Sequence, residues 1–218
     1  MSKTSVDFPD PDPAFDGACL PLHYTTITTI VKWPYETNHR VHHIYRPLLD
    51  AGGIICDDVT RMNATAVSRV FHVLCKEDIQ RVLRDARANG KRVSVRGTKH
   101  SMGAHTIAAD GYVIDCRFLK DLSYNEKTCV VTTGAGNTWA DLIKCLNDYG
   151  RSPRTMQSYS TFSVGGTIAV GAHGITTDVP VSESVEWVRL VDPQGNIVEA
   201  RRGDELLKNV LGGYGKLL

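Results

Sequence analysis

The sequence predicts an α+β protein, and three observations carry that prediction. From about Val67 onward, strand-like and helix-period segments follow one another without the strict alternation of a βαβ array. No fixed-period repeat runs through the chain, which argues against a solenoid. Two glycine-rich segments, 96–103 and 163–174, interrupt the pattern where neither a helix nor a strand is expected. With 218 residues and 42% hydrophobic content, the chain can build one sizeable core, or one domain plus an appendage.

Residues 1–57 read as a weakly structured extension, with Pro9, Pro11 and Pro13 punctuating an acidic start. His39, His42 and His43 lie there without a carboxylate or Cys at helical spacing, so a solvated stretch is expected and not a metal site. Val67–Leu74 has the β-branched and aromatic content of a strand. Ile79, Val82, Leu83 and Ala86 then share one helical face, and Gly90 sits where a left-handed cap is needed. KRVSVRG is a short alternating strand, and Gly111–Cys116 and Lys127–Gly136 are two more strand candidates. Thr138 can cap a helix through Asp141, Leu142, Cys145 and Leu146 that ends near Gly150. ESVEWVRLVDPQGNIVEARR reads as a hairpin turning at Asp192-Pro193-Gln194-Gly195, and Asp204–Leu211 as a short helix.

Charge and targeting narrow the class. Lys plus Arg number 25 against 24 Asp plus Glu, and a net charge of +1 gives no reason to expect nucleic acid or an acidic lipid surface as partner. No apolar run approaches the ~20 residues of a membrane helix. The acidic, Pro-rich N-terminus lacks the apolar stretch of a secretory signal. The expectation is a cytoplasmic protein with no membrane span. Cys19, Cys56, Cys75, Cys116, Cys129 and Cys145 are scattered without a C-x-x-C pair, so buried thiols are favoured over three disulfides. The sequon Asn63-Ala64-Thr65 would matter only in a secreted protein.

The chemistry concentrates in the two glycine-rich segments. Arg96-Gly97-Thr98-Lys99-His100-Ser101-Met102-Gly103 follows a predicted strand, and its glycines let the backbone bend and bring amides close to a ligand. Such a concave set of N–H groups suits a pyrophosphate. Ser163 to Gly174 holds four glycines in ten positions; it makes a poor helix and a poor strand, and it suits backbone packed on a flat or extended cofactor. Neither segment matches a P-loop or a dinucleotide-binding G-x-G-x-x-G, and no G-x-S-x-G elbow is present. Trp139 and Trp187 read as core aromatics, His72 as a core-edge residue and His105 as a surface or packing residue. The Lys99 charge either helps hold a phosphate or sits in solvent.

Taken together, in order and spacing, these segments resemble the vanillyl-alcohol-oxidase type (PCMH-type) FAD-binding domain of FAD-linked oxidases, over about residues 58–218. The pairing of a G-T-x-H-S segment with a G-x-H-G segment is similar to the branch of aldonolactone and alditol oxidases. The resemblance implies a two-subdomain fold with FAD as cofactor. It implies that Val95, Arg96, Gly97, Thr98, Lys99, His100 and Ser101 wrap the pyrophosphate, with His100 bonded to the 8α-methyl of the flavin. Ser158, Ser163, Gly165, Gly166, Val170, Gly171, Ala172 and His173 match the second FAD-contacting segment, Gly165 and Gly166 at the pyrophosphate and Ala172 and His173 near the ring. The implied reaction is hydride transfer from a CH–OH group of a small sugar, alditol or aldonolactone to the flavin, reoxidised by oxygen or another acceptor. The resemblance also implies a fold that is C-terminally incomplete at GGYGKLL. The substrate-binding cap domain is then absent or carried by a separate chain. The competing expectation is a non-catalytic flavin-binding module.

Overall fold

The computed structural model describes residues 54–175 and 180–215. The expected extension therefore lies outside the described residues up to position 53, and with it Cys19, His39, His42 and His43. Among the described residues the first pairing is that of β1 (Ile54–Cys56), which runs antiparallel to β2 (Thr65–Val67).

A three-stranded parallel sheet anchors the first half. Its order is β3 (Arg69–His72), β5 (Tyr112–Asp115), β4 (Val93–Arg96), with β5 in the centre. The single strand expected over Val67–Leu74 is broken at Ser68, whose N–H donates to Gly111 O at 2.9 Å and whose Oγ donates to Asp110 O at 2.6 Å. Those bonds pull the chain out of one pairing and into another. Helix α1 (Lys76–Ala88) crosses from β3 to β4. It turns Val82 and Ala86 onto Val73, Tyr112, Ile114 and Cys116, with Ile79 and Leu83 packed alongside, as the helical spacing predicts. Asp78 caps its start by accepting from Leu74 N–H at 2.9 Å, and Gly90 closes it at φ +61. The opposite face of β5 is also covered, by Val113 against Cys56, Val67, Val70 and Ile107. Burial on both faces explains why YVID carries no polar–apolar alternation.

A second core forms around α2 (Trp139–Asn147) and the hairpin β6 (Leu122–Asn125) and β7 (Val130–Thr133). Thr138 and Asp141 make a reciprocal capping box at the helix start. Trp139, Leu142, Val164 and Val181 are buried together, with Leu122, Val131, Met156, Phe162 and Ile168 packed around them. The glycine-rich segment departs from expectation here, because Val164–Ala169 forms a short helix, α3. Its glycines serve packing: a Cβ on Gly165 would come within 2.7 Å of Ala135 Cβ and 3.0 Å of Ala135 O.

The predicted hairpin is present as β8 (Trp187–Val191) and β9 (Ile197–Arg201), with Gly195 at φ +89 in the turn. Its turn is tied to α1 by Gln80 Nε2 donating to Gly195 O at 2.6 Å and Arg87 Nη2 to Pro193 O at 2.7 Å. Helix α4 (Glu205–Val210) follows. A mixed α+β architecture with two packing centres is thus observed, and not a single doubly wound sheet. Cys56, Cys75, Cys116, Cys129 and Cys145 are free thiols. Among the described residues no helix is long and apolar enough to cross a membrane, and no cluster of His, Cys, Asp or Glu is arranged to hold a metal ion.

Candidate FAD-binding site

Strand β4 delivers the chain into the loop 97–103, and both ends of that loop are fastened. At its start Arg96 is buried, and its Nε and Nη2 donate to Asp115 Oδ2 at 3.2 and 3.0 Å while Nη1 donates to Cys56 Sγ at 3.3 Å. Arg96 is therefore committed to the core beneath the loop. Asp115 also accepts from Arg117 Nε at 2.9 Å and Nη2 at 2.7 Å, and His72 Nδ1 lies 3.5 Å from it. Burial pushes the Asp115 carboxyl up, but the hydrogen bonds and charges of Arg117 and Arg96 outweigh it and hold it at about 2. At the far end Asp58 accepts from Ala104 N–H at 3.0 Å, and from Thr60 Oγ1 at 2.6 Å and Asn63 Nδ2 at 2.9 Å. Burial raises the Asp58 carboxyl; the bonds from Thr60, Ala104 and Asn63 prevail and keep it below the usual carboxylate range.

Between these anchors the amides of residues 98–103 donate to no described group. Lys99 takes φ +63, the left-handed conformation that turns successive N–H groups toward one side. Its ammonium is lowered from its ordinary value by burial and by the charges of Arg96 and Arg117. Arg96 and Arg117 share the Asp115 carboxylate beneath the loop, and Lys99 adds a third positive charge that feels both, so the charge at the loop is positive on balance even with Asp58 at its far end. A run of amides that donate to no described group, with surplus positive charge, suits a diphosphate.

The second segment meets this loop directly. Ser163 N–H donates to Thr98 Oγ1 at 3.1 Å, and a Cβ on Gly97 would collide with Ser163 Oγ. The arm is held against the start of α2 by Trp139 N–H to Phe162 O at 3.2 Å, Ala140 N–H to Ser160 O at 2.9 Å and Val164 N–H to Asn137 O at 2.8 Å. His100 packs on Phe162, ring centroids 4.4 Å apart, and its Nε2 lies 3.2 Å from Thr161 Oγ1. Burial lowers the His100 pKa, so its imidazole is neutral at pH 7.

Other predicted positions divide. Val95 and Ser158 are exposed, as are Gly166, Val170, Gly171 and His173 along the arm, while Ala172 is half-buried. Ser101 Oγ shares a hydrogen bond with Thr106 Oγ1 at 3.2 Å. Gly165 spends its N–H on Ala135 O at 3.1 Å, so it offers no amide to a ligand. Gln157 Nε2 donates to His173 O, fixing the end of the arm. His105 lies edge-on to Tyr214 at 5.2 Å, a surface packing role as expected. Sequence reasoning missed Asp58, Asp115, Arg117, Thr161 and Phe162. The one available signal was an aspartate closing the apolar run YVI.

A family model described as "FAD binding domain" matches residues 67–201. The chain belongs to this family. Its cofactor is FAD. This FAD-binding domain is 27% identical over 172 residues to cytokinin dehydrogenase 2 of Arabidopsis thaliana, covering 76% of the chain and 31% of that protein. It is 30% identical over 171 residues to the mitochondrial L-galactono-1,4-lactone dehydrogenase 2 of Oryza sativa subsp. japonica, covering 73% and 29%. Among solved structures, wild-type BBE-like 1 of Physcomitrella patens superposes with a TM-score of 0.63 at 21% identity, over 76% of this chain and 37% of that one. The 6-hydroxy-D-nicotine oxidase of Arthrobacter nicotinovorans gives 0.62 at 20% identity, over 75% and 36%. These two likenesses show the fold. The domain spans about a third of the length of the relatives it matches.

Proposed function

We propose that this chain is the FAD-binding portion of an oxidoreductase, in which the 97–101 loop holds the FAD pyrophosphate and His100 tethers the flavin covalently. The observation that carries the reading is the junction of the two arms: His100 meets Thr161 and Phe162, and Thr98 meets Ser163, across some 60 residues of sequence. FAD, when bound, takes a hydride at N5 and passes electrons to oxygen or another acceptor.

The chain's own contribution is binding and orientation. The amides of residues 98–101 and the Lys99 ammonium supply donors for a diphosphate, and the Thr98 and Ser101 hydroxyls lie among them. Arg96 acts from below, by fixing where the loop begins. Ser163, Gly166 and residues 170–173 form the second wall. The neutral imidazole of His100 is the nucleophile for the tether and no acid or base in substrate oxidation. Groups that contact substrate and move its proton are assigned to a cap region outside this domain.

For the substrate, similarity to the rice galactonolactone dehydrogenase supports a CH–OH donor of the sugar, alditol or aldonolactone class. Similarity to the cytokinin dehydrogenases supports a second reading, with a cytokinin as donor. The tether is tested by denaturing purified full-length protein in acid or SDS: flavin stays on wild type and on His105→Ala and leaves His100→Ala. Complete release from wild type sinks the tether; loss in His105→Ala alone moves it to the other histidine. Anaerobic bleaching of the flavin by an aldonolactone, set against a cytokinin, separates the two donors.

A further inference from the structure

We propose that Met102 is an oxidation site that regulates the FAD loop: as methionine sulfoxide, its new oxygen takes up the loop amides and weakens FAD binding. This rests on the reading of residues 98–103 as the pyrophosphate site. Met102 stands in that run with 71% of its surface exposed. Neither its own N–H nor that of Gly103 donates to a described group, whereas the carbonyl before it is taken, Ser101 O accepting from Val59 N–H at 3.3 Å. A thioether is apolar and a weak acceptor, so it does not compete for these amides. Oxidation makes the side chain polar and adds an acceptor oxygen to the sulfur. That oxygen can fold back onto the amides of residues 102 and 103, much as Asn and Asp oxygens bond nearby amides in turns. The positive balance of charge at the loop favours it there, on donors that a diphosphate would use.

The other described methionines set the contrast. Met62, 78% exposed, lies in the loop that holds the far end of the run, but its N–H already donates to Thr60 Oγ1 at 3.2 Å and that of Asn63 to Asp57 Oδ1 at 3.1 Å. An oxygen added there finds both amides taken. Met156 packs on the second core. The step balances with hydrogen peroxide as oxidant. The O–O bond breaks, the sulfur gives up an electron pair and bonds one oxygen, and the other oxygen leaves as water with both protons. Hydrogen peroxide is also what dioxygen becomes on taking two electrons and two protons, so oxidase turnover would deliver the oxidant beside Met102.

The test treats full-length His100→Ala protein, from which FAD dissociates, with hydrogen peroxide and then with a thiol that restores oxidised cysteines. Peptide mass mapping should show one added oxygen at Met62 and at Met102 and none at Met156. The Kd for FAD should rise about tenfold on treatment, and methionine sulfoxide reductase should return it. In the same background Met62→Leu should respond to peroxide as its parent does, while Met102→Leu, read against its own untreated value, should not respond. The proposal is overturned if Met102 stays unoxidised, if its sulfoxide leaves the Kd unchanged, if Met102→Leu loses affinity like its parent, or if Met62→Leu abolishes the response. Lys99→Ala separates this inference from the reading beneath it, since it should weaken FAD binding without peroxide. If Lys99→Ala weakens binding and peroxide does not, the inference alone falls; if neither does, the pyrophosphate reading of the loop falls with it.

Discussion

Asp115→Asn removes one charge from the hub on which the candidate site is built. Asp115 is fully buried at the end of the central strand, where Arg96 and Arg117 both donate to it. Asparagine keeps the shape but sets an NH2 group against a guanidinium and leaves Arg96, 8% exposed, without a counter-charge. Breaking a buried pair costs about 3–5 kcal/mol, and solvent recovers part of this at the half-exposed Arg117, so about 3 kcal/mol is expected. In a domain of this size that lowers Tm by about 6–12 °C. The pH dependence gives an independent reading. Asp115 falls from 3.8 to about 2 on folding, so its contribution is complete above the unfolded value and is lost as pH falls through the folded one. Wild type should therefore lose about 1–2 kcal/mol between about pH 4 and pH 2, discounted for screening, that the asparagine variant does not lose. Urea titrations of both proteins across that range measure the two effects together. A variant within about 0.5 kcal/mol of wild type at neutral pH, with the same acid slope, would falsify the view of Asp115 as the anchor of the loop.

Two further outcomes follow from packing and burial. Gly165→Ala drives a Cβ into the Ala135 backbone and should destabilise by about 1–3 kcal/mol, read by thermal melting; an unchanged Tm would show that α3 does not approach residue 135 so closely. In native protein a disulfide-exchange reagent followed by peptide mapping should label the exposed Cys75 and Cys129 quickly and spare the buried Cys56 and Cys116. Burial and the Asp115 carboxylate push the Cys116 thiol up to about 12, so rapid labelling there would contradict the packing of the first core.

The sequence carried the parts of this fold whose signals are local. The face of α1, the Thr138 cap and the turn at Asp192–Gly195 each rest on residues within a few positions of one another, and each is present in the structure. Elements set by distant partners were not legible. Ser68 breaks a β-branched run only because Asp110 and Gly111 lie across from it. LSYN becomes β6 because Leu122 packs on the second core and Tyr124 against Tyr149, a placement decided by its pairing with β7. The glycine-rich VGGTIA makes a helix against its own propensity because Val164 and Thr167 are buried and Trp139 Nε1 donates to Thr167 Oγ1 at 3.0 Å. The site shows the same division. The 97–103 loop announces itself by glycines after a strand, whereas the hold of Thr161 and Phe162 on His100, and of Asp58 on Ala104, joins residues dozens of positions apart.

On the proposed function, the amides of residues 98–103, which donate to no described group, receive the FAD pyrophosphate, braced by the arm at 161–163. Hydrogen exchange of full-length His100→Ala protein, with and without saturating FAD, tests it most directly, because the cofactor then binds and leaves reversibly. Strong slowing of exchange is expected in the peptide spanning 98–103, and weaker slowing across 161–166. FAD binding that leaves the 98–103 amides exchanging at their free rate, with protection elsewhere in the domain, would contradict it.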